Sequence, residues 1–344
     1  MNYSIILYIV GKVMMLESAC FLIPAVTSLI YGEHEGMAYL AVGAVSAIIG
    51  YLISSKKKFE NVFFAREGFV MVALSWIVLS VVGAIPFVLT GEIPNVIDAL
   101  FETVSGFTTT GASILEDVES LSHTSLIWRS FTHWVGGMGV IVLLLAILPM
   151  AGGYNMHLMK AESPGPVVGK LVPRLKDTAK ILYLIYLVMT VIEFVILVVI
   201  KMPVFDALCI TFGTAGTGGF GIKGDSLGSY SYAIQVVVTT FMILFGVNFN
   251  AYFLLLGKHK KDAFKMEEVR WYFGIIFAAI VIITINIRGY FDNILIALNH
   301  ASFQVGSIIT TTGYSTTDFD LWPQLSRNVI IFLMMCGACA GSTG

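Results

Sequence analysis

The chain has 344 residues, 57% of them hydrophobic and 12% charged, with a formal net charge of −2. Soluble domains carry about 25% charged residues, and a mean hydropathy of +0.86 makes water the wrong solvent for most of this sequence. An ordinary water-soluble globule is excluded. Apolar runs near the ~20 residues needed to cross a bilayer fall at 4–30, 37–54, 69–90, 126–150, 181–200, 232–256, 272–287 and 328–344. The first is too long for a signal-peptide core, lacks a basic leader and is followed at once by another span, so it is read as a retained helix.

Basic residues set the orientation. Lys56, Lys57, Lys58 and Arg66 fall in one connection. Lys160, Lys170, Arg174 and Lys176 fall in a second, with Lys180 just beyond, and Lys258, Lys260, Lys261, Lys265 and Arg270 in a third. These hold 14 of the 20 Lys and Arg residues, which makes all three connections cytoplasmic, and the N-terminus with them. The outward segments then carry 13 of the 22 acids, among them Glu33, Glu35, Glu92, Glu116, Asp117, Glu119, Asp318 and Asp320. They read either as a cation-concentrating entrance or simply as polar loops. The four cysteines, Cys20, Cys209, Cys336 and Cys339, sit in apolar segments and are expected to be reduced, buried and small.

An internal repeat organises the chain. Residues 98–113 align with 206–221 at an offset of 108, and with 300–315 a further 94 residues on. Thr109-Thr110-Gly111, Thr217-Gly218-Gly219 and Thr311-Thr312-Gly313 fall in register. Each copy follows a full span and a segment too short to cross, and each precedes another apolar run. The predicted unit is helix, pore helix, re-entrant loop, helix, with an N-terminal hairpin over 1–62 and repeats over 63–160, 161–262 and 263–344. The fold class is therefore an all-α integral membrane protein built around a shared axis.

Irregular backbone survives inside a membrane only against protein or a water-filled path. Three such loops converging could offer carbonyl oxygens to a dehydrated cation. Glycine permits the backbone angles that consecutive inward carbonyls require. Threonine adds a hydroxyl, and the pore helices would turn their partially negative C-terminal ends toward the axis. No acidic or basic side chain lies between Thr108 and Ser113 or between Thr310 and Thr317. Gly216 to Gly221 spells G-x-G-x-x-G, but without a preceding strand it does not read as a dinucleotide site. No Ser/His/Asp set, metal cluster or phosphate loop points to an enzyme, and Cys336-x-x-Cys339 lacks a second ligand pair.

At 101–113, 129–140, 214–221, 310–320 and 337–344 the sequence resembles the TrkH/KtrB potassium-uptake proteins of the Trk/Ktr/HKT superfamily. The likeness runs from residue 1 to 344 and includes the extra hairpin. It implies a pseudo-fourfold pore with potassium at a filter of Thr109, Thr110, Gly111, Thr217, Gly218, Gly219, Thr311, Thr312 and Gly313. In the family, glycine at the Gly111 position goes with potassium and serine with sodium. The resemblance also implies an intramembrane gate loop at Gly337, Gly341, Ser342, Thr343 and Gly344, a stretch that on its own also suits close packing of helices through small residues. It implies a homodimer in the bacterial inner membrane, a cytoplasmic nucleotide-binding subunit of TrkA/KtrA type, and no organic cofactor or nucleic acid. The family has four repeats. This sequence stops inside the gate loop, so a C-terminally truncated chain is expected. The alternatives are a sodium-permeable transporter of the same architecture and a non-conducting subunit.

Other residues carry narrower expectations. Lys12 is read as an anchor near the membrane surface, and Glu193, with Glu17, as an intramembrane charge, Glu193 pairing within the bundle. Arg129 and Trp134 are read as interface anchors. Asn248 and Asn250 either line a vestibule or cap helix contacts, and His133 is structural.

Overall fold

Apolar sequence folds as helix through the residues that the computed structural model describes: 3–55, 65–139, 175–257 and 260–344. Lys56, Lys57, Lys58, Lys160, Lys170, Arg174 and Lys258 lie outside the described residues, as do residues 140–150 of the predicted span 126–150. Among the described residues, five helices are long and apolar enough to cross a membrane: Tyr3–Tyr31, Gly36–Ser55, Arg66–Thr90, Lys180–Val199 and Glu267–Tyr290. Two compact units emerge, residues 1–108 with 112–183, and 109–111 with 184–344.

In the first unit, α1 (Tyr3–Cys20) and α2 (Leu22–Tyr31) form one span. The Phe21 amide reaches Glu17 O at 3.0 Å and Ala25 reaches Phe21 O at 3.2 Å, so helical bonding continues across their junction. Gly32, at φ 70°, ends the span, and α3 (Gly36–Ser55) packs back on α1. A Cβ on Gly11 would sit 2.7 Å from Gly50 O, and one on Gly50 2.6 Å from Gly11 O. Small residues thus let two backbones touch where lipid gives no hydrophobic drive for association. The unit continues with α4 (Ala65–Thr90), α5 (Val96–Phe107) and α6 (His123–Gly137). Trp128 of α6 is fully buried. Its Nε1 donates to Gly83 O at 3.1 Å, and its ring packs on Phe21 at 4.5 Å.

Two of the outward acids are consumed in capping α6. Glu33 accepts from the His123 and Thr124 amides at 2.9 Å each and from the Thr124 hydroxyl at 2.5 Å. Glu92 accepts from the Ser122 amide at 2.6 Å and from the Ser125 hydroxyl. A helix N-terminus leaves amides unpaired and favours negative charge, so these two residues cap a helix, a role that neither reading of the outward acids included. Partial burial works to raise the Glu33 carboxyl, but hydrogen bonds from the side chains and amides of Thr124 and His123 outweigh it and hold the group below its ordinary value. A depressed folded pKa stabilises the protein above the unfolded value of about 4.3, and this is lost as the pH falls through the lower folded value. Glu33→Gln should therefore remove part of the acid limb of a melting-temperature profile. An unchanged profile below pH ~5 would contradict the assignment.

The second unit takes in residues 184–199 of α7 (Leu175–Val199), then α8 (Val204–Ala215), α9 (Tyr232–Phe245), α10 (Phe249–Leu256), the short α11 (Lys260–Ala263), α12 (Glu267–Ile287), α13 (Ile294–Ile309) and α14 (Gln324–Cys336). Ala297, Ala301, Val305 and Ile309 form a stripe at every fourth residue of α13 and pack with Ile276, Ile283 and Ile287 of α12 and Ile330 and Leu333 of α14. Two predicted spans differ from the structure. The run 232–256 is α9 and α10 with an 88° bend between them. The run 328–344 is helical only as far as Cys336, where Gly337 at φ 69° ends it. Cys336 is exposed at that end, not buried as expected.

Candidate functional site: three matched loops and a glycine-rich segment

The three short helices α5, α8 and α13 end at Phe107, Ala215 and Ile309, which are equivalent positions of the repeat. The next residues, Thr108, Gly216 and Thr310, keep φ between −78° and −88° with ψ near zero. Thr109, Thr217 and Thr311 then turn left-handed at φ 55°, 52° and 58°. Gly111, Gly219 and Gly313 follow at 74°, 80° and 90°. Glycine is the usual residue at a left-handed helix terminus. A β-branched residue there is strained, by roughly 1–3 kcal/mol. The same strain recurs in the same place three times.

The second and third loops also share their capping bonds. The Thr217 and Gly218 amides reach Thr214 O at 3.1 Å and Gly213 O at 2.9 Å. Those of Thr311 and Thr312 reach Ile308 O at 3.1 Å and Ser307 O at 2.9 Å. Residues 109–111 belong by their contacts to the same unit as the other two loops. A Cβ on Gly111 would lie 2.0 Å from Gly218 O and 3.8 Å from Thr312 O. One on Gly219 would lie 1.9 Å from Thr312 O. The structure therefore brings 109–111, 217–219 and 311–313 together, with carbonyls of two loops against glycines of their neighbours.

Loops two and three are braced by Tyr314, which is fully buried. Its hydroxyl lies 3.3 Å from both Ile210 O and Phe220 O, against the face of Gly213, where a Cβ would meet it at 2.0 Å. The Leu227 amide donates to Ser315 O at 3.0 Å and ties the return legs together. The first loop uses a different device. Arg129 Nε and Nη2 reach Glu102 Oε1 at 2.7 and 2.6 Å, with both side chains buried. Glu102 also accepts from Ser113 and, at 3.0 Å, from the Ile114 amide. Arg129 is thus an internal brace and not an interface anchor. Trp134 is half-buried and stacks on Phe131 at 5.5 Å.

The segment 337–344 runs against the bend between α9 and α10. The Cys339 amide donates to Gly246 O at 3.0 Å, and the Phe249 amide to Gly341 O at 3.0 Å. Thr343 reaches Phe245 O with its hydroxyl at 3.2 Å. These bonds serve backbone groups that the interrupted helix leaves unpaired. The bend also takes the Tyr272 hydroxyl against Gly246, where a Cβ would sit 2.4 Å away. On the other side, the Thr217 hydroxyl lies 2.8 Å from Thr343 O, and a Cβ on Gly344 would sit 2.5 Å from Thr310 O. Gly337, Gly341, Ser342, Thr343 and Gly344 therefore lie in a non-helical segment touching two of the three loops, and close helix packing does not describe them.

Asn248 caps α10, its Oδ1 accepting from the Asn250 amide at 2.9 Å. Its Nδ2 reaches Glu268 Oε2 at 3.2 Å. Lys12 Nζ lies 5.7 Å from the Tyr8 ring centre. Glu17 and Glu193 are buried without a close hydrogen-bond partner among the described residues, and the Thr214 side chain on α8 is the neighbour that interacts with Glu193. The G-x-G-x-x-G stretch follows helix α8 instead of a strand. Sequence reasoning missed Tyr314, the Glu102–Arg129 pair and Glu268. The placement of Glu102 on a short helix, one turn before the loop, was the available signal for the pair.

The family model described as TrkH, cation transport protein, matches residues 35–344. The Trk system potassium uptake protein TrkH of Salmonella typhimurium (strain LT2) is 38% identical over 352 residues, covering 100% of this chain and 73% of that protein. The Trk system potassium uptake protein TrkG of Escherichia coli (strain K12) is 32% identical over 99% of this chain and 72% of its own length. The crystal structure of the potassium transporter TrkH from Vibrio parahaemolyticus superposes with a TM-score of 0.86 at 33% identity, over 100% of this chain and 72% of that one.

Proposed function

Because the chain belongs to the TrkH family of cation transport proteins, we propose that it carries potassium across the bacterial inner membrane, passively and under the control of a gate. It is a transport protein and not an enzyme. The observation that carries this reading is the repetition of one strained threonine and one left-handed glycine in three loops that touch. Carbonyl and hydroxyl oxygens of Thr109 to Gly111, Thr217 to Gly219 and Thr311 to Gly313 replace the ion's water shell. The C-terminal ends of α5, α8 and α13 open directly into those loops and favour a cation there. The pore is pseudo-fourfold, with repeats at 63–160, 161–262 and 263–344 behind a hairpin at 1–62. The segment 337–344 is its gate. The N-terminus is cytoplasmic, the assembly a homodimer, and a TrkA/KtrA-type nucleotide-binding subunit docks on the basic inner face.

The full-length reading frame containing these residues should restore growth of an uptake-deficient bacterium at limiting potassium. Membrane expression without rescue would count against the reading. Ion-competition flux separates potassium from sodium. Gly111→Ser, which puts a Cβ 2.0 Å from Gly218 O at φ 74°, should cut flux sharply and lower the potassium-to-sodium ratio of what remains by about tenfold, a change of about 1.4 kcal/mol. An unaltered ratio would remove Gly111 from the filter.

A further inference from the structure

One carboxylate joins the glycine-rich segment to the helix bend. Glu268 lies in the first turn of α12. Its Oε1 accepts from the Ala340 amide, in the middle of the segment 337–344. Its Oε2 accepts from Asn248 Nδ2 at 3.2 Å. The orientation of Asn248 is fixed, because its Oδ1 is held by the Asn250 amide at 2.9 Å, which leaves only the amide nitrogen to face Glu268. Three stretches remote in sequence, around 248, 268 and 340, therefore meet at a single side chain. The other bonds that hold the segment run between backbone groups or from hydroxyls. Glu268 supplies the charged acceptor, and hydrogen bonds to an ionised group are about twice as strong as neutral ones.

We infer that Glu268 is the latch that holds the segment 337–344 in its closed position, acting as a positioning residue through Ala340 and Asn248. The inference rests on the reading of that segment as the gate. Glu268 lies in α12 and bonds the segment and the bend, so the latch sets how often the path is open and not which ion passes.

The test is potassium flux into proteoliposomes by the full-length transporter without its regulatory subunit. Glu268→Ala removes both acceptors and should raise basal flux by about tenfold, the scale of one lost charge-assisted hydrogen bond, with the potassium-to-sodium ratio unchanged. Asn248→Asp keeps the cap on α10 but sets a second carboxylate against Glu268, and should raise basal flux likewise. Combining Asn248→Asp with Glu268→Gln restores a donor–acceptor pair, because the new glutamine amide donates to the new carboxylate while its oxygen accepts from Ala340. That double variant should return basal flux toward the parent value, a rescue that a general loss of packing would not give. Basal flux equal to the parent in Glu268→Ala, or no rescue in the double variant, would overturn the latch while leaving a potassium-selective parent intact. Absence of potassium flux from the parent and from every variant alike would instead overturn the transport reading and the latch with it.

Discussion

Gly219→Ala should leave the chain in the membrane at ordinary levels and remove potassium transport. The added methyl would stand 1.9 Å from Thr312 O, well inside the separation that any carbon and oxygen tolerate. The backbone angle of φ 80° adds roughly 1–2 kcal/mol for a residue with a Cβ. The third loop cannot yield without disturbing the Thr312 amide bond to Ser307 O and the Tyr314 brace beside it. On the proposed reading, a sub-ångström displacement matters because these carbonyls would replace the ion's water shell. Gly221→Ala is the matched control. Two residues further on, its Cβ would meet nothing closer than 3.4 Å and requires no left-handed angle. Flux in proteoliposomes should fall to background in the first and stay near the parent in the second. Equal flux from both would mean that the contact between Gly219 and Thr312 O has no part in conduction.

The second large effect is expected at Arg129. Replacing it with methionine keeps much of the volume but strands Glu102, which is fully buried and already pulled into place by Ser113 and the Ile114 amide. Removing one partner of a buried ion pair costs about 3–5 kcal/mol. The melting temperature of the purified protein should drop accordingly, and the first loop should lose its fixed return leg. Adding Glu102→Gln to Arg129→Met removes the stranded charge while retaining an acceptor for Ile114, and should recover most of the loss. If the single and double variants melt alike, the pair is not what holds that loop.

Length and period made the helices legible, because a bilayer sets the number of residues a span needs and the repeat marks where the short helices must stop. The helix ends at 107, 215 and 309 follow that register without offset. The bend in 232–256 was not legible. Gly246 alone does not break a helix, and what turns the chain by 88° is a set of hydrogen bonds from residues 339–343, about a hundred positions away. The two glutamates at the α6 N-terminus were equally opaque as a pair. An acidic residue in a loop looks the same whether it faces solvent or caps a helix whose start it does not adjoin. Arg129 misled for a related reason: a basic residue near the start of an apolar run fits a surface anchor, and only the position of Glu102 on α5 reveals a buried partner.

The bend and the glycine-rich segment complete each other's backbone. Phe245 O, Gly246 O and the Phe249 amide are satisfied by Thr343, Cys339 and Gly341. If the segment swings aside, as the proposed gate would require, those groups are stripped together, and a polar backbone group inside a membrane demands a substitute partner. Water is the candidate that can supply all of them at once. On the proposed reading, unblocking the path and wetting it are a single event, and whatever keeps the space beneath the three loops dry would also keep it shut.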